Sequence, residues 1–507
     1  MGSRLKNSFK NSFWGATSNL VCTLLNFFVR TIFIKTLGSD YLGINGLFTN
    51  ILFILSFAEL GVGQAITYCM YKPAADNDKE KIKSLLKLYK QFYTIIGFVI
   101  FGLGVIIIPF IPIIIKDMPN IKENLILIYL LYLFETAASY FFSYKRSIII
   151  VNQKDYLCDV VKLILSITKS AIQTIILFTT KNYILYLIIY ILSTLLTNVI
   201  LSLIADKKYP YIMERDAKEL DRKEKNAIIT NIKSLILYKL GRVSLSGTDN
   251  IIISYLIGIT TVGMYSNYSL IISAISGFTY TILSGVISSV GNINATESIS
   301  KKEKIMGELL FISSWMYGFI CICLAILLNP FVTIWIGEKY LLDINVILAS
   351  VFYILIDGLE FSSHIYVSTM GLFKHTRYSS LICALLNIIL SLLLGKLWGL
   401  FGIFAASSLS KMLTTSWFDT YVVYKNSLNK SPKNYYLRHF SLLICIVINY
   451  LICSYVVRLI SGANVLSFVL KAIITVILSN VLFIIFFHNT EEFKYLLNKL
   501  TGGKKHV

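Results

Sequence analysis

Charged residues are scarce in this chain of 507 residues, since Asp, Glu, Lys and Arg together make up only 15% of it. Apolar residues make up 56%, and the mean hydropathy is +0.71. A water-soluble globular protein carries about 25% charged residues and fewer apolar ones. The scarcity of charge therefore excludes a soluble protein and predicts a membrane protein.

Long hydrophilic segments are also missing. The longest runs from about residue 206 to 225, which is too short to fold as a catalytic domain with its own core. The longest outer connection, near residues 329–343, is short as well, so we expect no enzyme. A polysaccharide polymerase or membrane glycosyltransferase is the alternative from another class, and it would require a larger outer loop.

Several chemical motifs are absent. The chain has no G-x-x-x-x-G-K-[ST] loop, which excludes ATP hydrolysis by the P-loop route, and no H-E-x-x-H pair. Its eight cysteines lie in apolar runs without C-x-x-C or Cys/His ligand spacing, and we interpret them as small buried apolar residues. We therefore expect no metal site and no cofactor. Secondary transport is the leading class, with H⁺ or Na⁺ coupling as the open choice of energy source.

Apolar runs that can cross a bilayer recur along the whole chain, because a helical span needs about 20 apolar residues. They predict fourteen transmembrane helices: 11–35, 42–70, 91–115, 124–144, 156–180, 183–205, 228–256, 263–291, 306–329, 344–370, 378–395, 398–424, 438–457 and 464–488. Runs this long do not fit barrel strands, so the expected fold is an all-α polytopic membrane protein.

Basic residues are shared unevenly between alternate connections. With the N-terminus inside the cell, 32 of the 47 Lys and Arg fall in cytoplasmic connections and tails, and 7 fall in outer ones. The positive-inside rule accounts for this asymmetry and for the net charge of +20, so no nucleic-acid partner is needed. We expect a multi-pass protein of the bacterial plasma membrane with both termini in the cytoplasm.

A glycine pair recurs at a displacement of 220 residues. Gly38 and Gly43, between the first two spans, correspond to Gly258 and Gly263, between the seventh and eighth. Six spans separate the pairs, so the repeat is parallel. It predicts two six-helix lobes around a central cleft, at 1–205 and 228–424, with a cytoplasmic linker at 206–227, two additional helices at 436–488 and a cytoplasmic tail at 489–507. Two coincidental tight turns are the alternative.

Some cations lie inside predicted spans, where a charge costs about 2.5–3.5 kcal/mol and usually faces protein or a water-filled cavity. The four deepest are candidates for binding an anionic substrate: Arg30, Lys169, Arg242 and Lys411. Helical spacing predicts a polar lumen lining from Asn19, Asn26, Gln64, Gln173, Tyr238 and Ser246. Interhelical ion pairs are the alternative, whereas Lys471, near a helix end, is expected to reach the headgroups.

Acidic residues also lie inside the spans. The candidates for ion coupling or charge compensation are Glu59, Glu135, Asp249, Asp357, Glu360 and His364. The last three share one helical face at steps of three and four residues. Such a series either relays a proton or holds a cation, or it neutralises the buried Lys and Arg, and both interpretations stay open.

Short motifs in the first two spans suggest a family. They are Phe13-Trp14-Gly15, Leu37-Gly38, Tyr41-Leu42-Gly43 and Ala58-Glu59-Leu60-Gly61-Val62-Gly63-Gln64-Ala65-Ile66. Together with the fourteen-span plan, they resemble polysaccharide repeat-unit flippases of the Wzx type. These belong to the multidrug/oligosaccharidyl-lipid/polysaccharide exporter (MOP) superfamily, which includes O-antigen and capsular polysaccharide transporters.

The resemblance implies translocation of an undecaprenyl-diphosphate-linked oligosaccharide across the plasma membrane by alternating access, for capsule, O-antigen or exopolysaccharide synthesis. Its partners would be this lipid-linked substrate, membrane lipids, and the polysaccharide polymerase and glycosyltransferases of the same pathway. The candidate cations fit, because a diphosphate needs Arg or Lys to replace water. A cation-coupled multidrug exporter of the same superfamily and a flippase for the peptidoglycan lipid precursor are the alternatives.

Overall fold

The structure is a computed structural model that describes residues 2–59, 61–214, 218–226, 228–230, 232, 247–462 and 464–494. Within these ranges the regular elements are helical and no strand occurs, which confirms the all-α prediction. The chain divides into two compact units, Met1–Gly263 (unit 1) and Met264–Val507 (unit 2).

Unit 1 is a bundle in which α1 packs along α8, while α6 and α8 both pack on α9. Its helices are α1 (Gly2–Thr36), α2 (Ser39–Leu55), α3 (Val62–Ala75), α4 (Lys79–Ile107), α5 (Ile111–Ile114), α6 (Leu125–Ser143), α7 (Arg146–Val151), α8 (Tyr156–Thr179), α9 (Tyr183–Lys208) and α10 (Asp249–Leu256). The helix α11 (Ile259–Ser284) begins in this unit. Ile44, Leu47, Phe48 and Ile66 are fully buried in its core.

Unit 2 is organised around α14, which packs against both neighbouring long helices. Its remaining helices are α12 (Ile287–Thr296), α13 (Ile299–Ile336), α14 (Ile344–Thr369), α15 (Phe373–Leu413), α16 (Thr415–Val423), α17 (Lys433–Arg458) and α18 (Val465–Phe487). The last two helices, α17 and α18, pack on each other and on α13.

Among the described residues, ten helical stretches are long and apolar enough to cross a membrane, or eleven if the α11–α12 pair, bent by 41°, is one span. The stretch from Phe373 to Leu428 contains two predicted spans, which bend apart at Gly399, where φ is +60°. The second predicted span is divided, and the seventh, 228–256, lies mostly outside the described residues. The observed helices thus agree with the predicted plan at nearly every span.

The second predicted span, 42–70, was wrong as a single helix. The helix α2 ends at Leu55, a 3₁₀ turn covers Ser56–Glu59, and α3 begins at Val62. Between them Gly61 has a φ of +90°, a conformation that glycine adopts without a steric penalty and that interrupts a right-handed helix. The chain remains apolar through this break, so hydropathy alone could not locate it.

The repeated glycines allow two helix starts to touch. A Cβ on Gly43 would lie 2.1 Å from the carbonyl oxygen of Ile259, and a Cβ on Gly263 would lie 2.1 Å from the carbonyl oxygen of Ser39. Ser39 and Ile259 are themselves 220 residues apart. The contact is therefore reciprocal, and it explains why glycine stands at both positions.

A polar bond accompanies this glycine contact. The Thr260 hydroxyl donates to the Asp40 carboxylate at 2.8 Å, and these two residues are also 220 apart. The second Asp40 oxygen accepts from the backbone N–H of Asn120 at 3.3 Å. Through Asp40, the starts of α2 and α11 are thereby joined to the loop that precedes α6, at one end of unit 1.

Candidate functional site

The first set of candidate residues lies in unit 1, where α1 meets the tyrosine-rich face of α9. Arg30 is half-buried, and its guanidinium interacts electrostatically with the phenols of Tyr186 and Tyr132. The Tyr132 and Tyr183 hydroxyls share a hydrogen bond of 3.2 Å. The phenols thus give Arg30 polar neighbours that carry no negative charge at neutral pH.

Lys169, on α8, contacts the same face of α9 one turn farther along, at Tyr190. Its Nζ is 5.4 Å from the centre of the Tyr190 ring, which is a cation–π contact. Gln173, one turn along α8 from Lys169, is buried and donates to the backbone carbonyl of Tyr186 at 3.1 Å. Tyr186 and Tyr190 are about 6 Å apart along the helix axis, so the structure places the neighbours of Arg30 and Lys169 at successive turns.

We call Arg30, Tyr132, Lys169, Tyr186 and Tyr190 the unit 1 cluster. Among the described residues, neither of its cations has a carboxylate within ion-pair distance. An anion could approach them without first breaking an ion pair, and it would replace aromatic faces and water rather than a fixed countercharge.

Glu135, on α6, is a carboxylate beside the Tyr190 phenol of this cluster. It accepts a hydrogen bond from the Thr136 hydroxyl. The Thr136 bond measures 3.4 Å. Among the residues that the structure describes, a hydroxyl rather than Lys or Arg pairs with Glu135, and its role in ion coupling stays a prediction.

The predicted lumen residues of α1 and α3 lie on accessible surface. Asn19, Asn26 and Gln64 are exposed, whereas Arg30 on the same α1 stripe is half-buried. The Thr23 hydroxyl between the two asparagines donates to the Asn19 carbonyl at 2.7 Å. Substrate contact by these three side chains stays a prediction.

The Glu59 motif forms a hydrogen-bonded chain within unit 1. Tyr89 donates to the Tyr93 hydroxyl at 3.0 Å, and Tyr93 donates to the Glu59 carboxylate at 2.8 Å. A Cβ on Gly63 would lie 2.4 and 2.6 Å from the two tyrosine oxygens, so glycine leaves the space that this chain occupies. Glycine is thus required at two positions of the motif for different reasons. Gly61 adopts a positive φ, and Gly63 leaves space for the two tyrosine hydroxyls.

The second set of candidates lies in unit 2, where α14 meets α15 and α16. Lys411 is only 4% exposed, and its ammonium group bonds to Asp357 and lies 3.5 Å from a Glu360 oxygen. Glu360 is also buried, and it accepts from the hydroxyls of Thr415 and Ser416. Lys411 therefore has two carboxylate partners, unlike Arg30 and Lys169 of the unit 1 cluster.

His364 extends this network toward a carboxylate that sequence reasoning did not identify. Its Nε2 lies 3.4 Å from Glu360, and its Nδ1 lies 3.8 Å from Asp419. Asp419 is buried and accepts from Ser379 at 3.0 Å. Asp357, Glu360 and His364 bring their ligating atoms within 4.8 Å of one another, as predicted from their shared face. Whether this group couples ions or compensates charge stays open.

Four sequence candidates lie at or near the gap in the described residues. Tyr238, Arg242 and Ser246 fall outside those residues. Asp249 is placed, at the start of α10, and is partly buried. Outside the candidate sites, Lys471 donates to the Gly462 carbonyl at 3.2 Å near the start of α18, in keeping with its predicted position at a helix end.

Sequence reasoning missed the aromatic partners of the unit 1 cations. Tyr183, Tyr186 and Tyr190 follow one another at steps of three and four on α9, a spacing that puts them on one face. That spacing was visible in the sequence. The sequence did not show that this face of α9 contacts Arg30, because periodicity within one helix does not tell which helix packs against it.

Comparison with known proteins identifies the fold. No family model and no curated protein matches this chain. Among solved structures, it is similar to the lipid II flippase MurJ in an inward closed conformation, with a TM-score of 0.68, 16% identity and coverage of 94% of this chain and 98% of that one.

Two transporters of the MOP superfamily have the same fold. A multidrug resistance MATE family transporter in an inward-facing conformation gives a TM-score of 0.61 at 14% identity, over 80% of this chain and 96% of that one. A Pyrococcus furiosus transporter, described as having a binding pocket of reversed polarity, gives 0.55 at 14% identity, over 84% and 97%. The chain therefore shares the helical fold of these solved transporters.

Proposed function

We propose that this chain is a flippase that moves a polyprenyl-diphosphate-linked oligosaccharide across the bacterial plasma membrane for surface polysaccharide synthesis. The observation that carries the proposal is the unit 1 cluster, in which Arg30 and Lys169 lie within apolar spans without carboxylate partners among the described residues. The likeness to a lipid II flippase along 94% of the chain supports it.

The cluster suits a diphosphate headgroup for two reasons. Arg30 supplies a planar guanidinium for two phosphate oxygens, and Lys169, beside the next tyrosine along α9, supplies a compact ammonium. The Tyr186 phenol offers a donor beside Arg30, and Asn19 and Asn26 present amides to a sugar farther along α1. The apolar polyprenyl chain stays in the bilayer during translocation, so its apolar surface is not exposed to water.

Ion coupling is a further part of the proposal. In the network of Asp357, Glu360, His364 and Lys411, the single ammonium of Lys411 contacts both carboxylates. An H⁺ or Na⁺ that competes with Lys411 for Asp357 and Glu360 would change the packing of α14 on α15. A dependence of transport on an ion gradient, weakened by Asp357→Asn, would support this role.

The peptidoglycan lipid precursor is the second candidate substrate, since the similar structure of highest TM-score reported above belongs to a lipid II flippase. Its headgroup is a polyprenyl diphosphate too, so the unit 1 cluster suits both substrates. The glycan that accumulates inside the cell distinguishes them.

The substrate is tested by depleting the protein in its host and measuring polyprenyl-diphosphate glycans by mass spectrometry. A membrane-impermeant reagent would separate the outer-leaflet pool from the inner one. We expect a complete repeat unit trapped inside, loss of surface polysaccharide and continued cell-wall synthesis. Trapped peptidoglycan precursor would favour the second candidate. An unchanged glycolipid pool would contradict both and favour drug export.

The site is tested with Lys169→Gln and Arg30→Gln, each measured for export at equal membrane abundance. Losing a charge-assisted hydrogen bond of about 1.5–3 kcal/mol predicts a fall of about tenfold or more. Lys169→Arg should retain most activity, because the positive charge remains. Lys471→Gln is the matched control, since it removes a lysine near the start of α18 in unit 2, outside the cluster. Full export by both cluster variants would refute the diphosphate site.

A further inference from the structure

A lysine-lined cavity in unit 1 lies apart from the candidate site. It has a volume of about 440 Å³, within the range of small-molecule pockets. Lys83, Lys87 and Lys90 line it from α4, where steps of four and three residues put them on one face. Lys145, from the α6–α7 junction, and Asp206, near the end of α9, complete the polar wall. We call this cavity the lysine pocket.

The pocket's charge is predominantly positive, because its lining holds four lysines against the carboxylates of Asp206 and Glu214. Lys83 is 3% exposed and is held by Glu80 at 2.6 Å and Glu214 at 2.8 Å. Both carboxylates are more than half exposed. The lysine is thus fixed in the wall while its counterions remain in contact with solvent.

A second lysine is fixed in a similar way. Lys145 donates to the two oxygens of Asp206 at 2.7 and 2.6 Å. An ammonium has three donors, so one proton of Lys145 is available to a further acceptor. Lys87 and Lys90 are exposed at the opposite wall. A bound anion would therefore meet cations from α4 and from the α6–α7 junction.

The pocket lies where three spans end. Lys90 immediately precedes the apolar run of α4, Lys145 follows α6 by two residues, and Asp206 follows the apolar run of α9. This places the pocket at headgroup level, on the side where the basic connections predict the cytoplasm. Leu86 and Met213 add apolar surface to its lining, and Met213 is 63% exposed. A soluble anion would gain nothing from that surface, whereas a lipid would cover it.

We propose that the lysine pocket binds the phosphate headgroup of an anionic membrane phospholipid. Basic pockets between transmembrane helices on the cytoplasmic side favour such headgroups, because fixed lysines attract the phosphate while the acyl chains remain in the bilayer. This site is separate from the unit 1 cluster and does not depend on the transported substrate.

The test is native mass spectrometry of the purified full chain in detergent, titrated with phosphatidylglycerol and, in parallel, with zwitterionic phosphatidylcholine. We expect saturable binding of phosphatidylglycerol only. The variant Lys87→Gln/Lys90→Gln should weaken it about thirtyfold, from roughly fivefold for each lysine. Both residues are exposed on a helix that glutamine also favours, so folding should be retained.

The matched control is Lys304→Gln/Lys374→Gln, which removes two exposed lysines of unit 2. It should bind phosphatidylglycerol like the unmodified protein. Equal weakening by both double variants would mean diffuse surface attraction and would overturn the proposal, as would unchanged binding by Lys87→Gln/Lys90→Gln. Displacement of the lipid by inorganic phosphate at millimolar concentration would overturn the assignment to a lipid and indicate a soluble phosphate ligand.

Discussion

Removing Lys411 tests how the buried charges of unit 2 are balanced. Lys411→Met leaves the buried Glu360 without its ammonium partner, and breaking a buried ion pair in this way costs about 3–5 kcal/mol. Hydrogen bonds from Thr415 and Ser416 and the nearby His364 remain, so we expect the lower end, about 3 kcal/mol. For a cooperative unit of this size, that lowers the melting temperature by about 6 °C or more.

The second half of the test is a double variant. Glu360→Gln in the Lys411→Met background removes the uncompensated charge, so it should recover most of the lost stability. Asp357→Asn is the control, because its side chain is 44% exposed and an exposed ion pair contributes only about 0–1 kcal/mol. Scanning fluorimetry in detergent measures all four proteins. If the double variant melted as low as Lys411→Met, the charge-balance reasoning would be refuted.

The remaining predictions concern glycines. Gly43→Ala should destabilise the protein by about 1–3 kcal/mol in thermal melting, because its Cβ would meet the backbone of Ile259 at 2.1 Å. Gly102→Ala in α4 is the control: a Cβ there has no atom within 4 Å, so the melting temperature should stay the same or rise. A Cβ on Gly63 would push the Tyr93 hydroxyl away from Glu59, so Gly63→Ala should lower the melting temperature more than Tyr93→Phe does. Equal melting temperatures for the two variants would contradict this packing argument.

The spans could be predicted because crossing a bilayer requires about 20 apolar residues whatever the neighbouring helices are. The break between Leu55 and Val62 could not, since the chain stays apolar there and a positive φ at Gly61 leaves no trace in hydropathy. By contrast, the sequence predicted two spans that meet near residues 395–398, and the structure has the break there, at Gly399 with a φ of +60°. Hydropathy records burial in lipid, so it misses a break such as that at Gly61, which depends on a single backbone torsion within an apolar run.

Within the candidate sites, spacing along one helix predicted which residues share a face but not what that face meets. Asp357, Glu360 and His364 came together as their spacing required. Their partners Lys411 and Asp419 come from α15 and α16, and Lys411 had been grouped with the substrate-binding cations. Contacts between helices depend on packing, which a single sequence does not record.

The partners found in each unit make three of the predicted cations, Arg30, Lys169 and Lys411, unequal candidates for binding a diphosphate. An anion that reached Lys411 would have to displace Asp357 or Glu360, and the freed Glu360 would be a buried charge costing several kcal/mol. An anion that reached Arg30 or Lys169 would displace no carboxylate among the described residues, only phenol faces and water. We therefore expect substitutions of Arg30 and Lys169 to affect transport through substrate binding, and substitution of Lys411 to act first through stability.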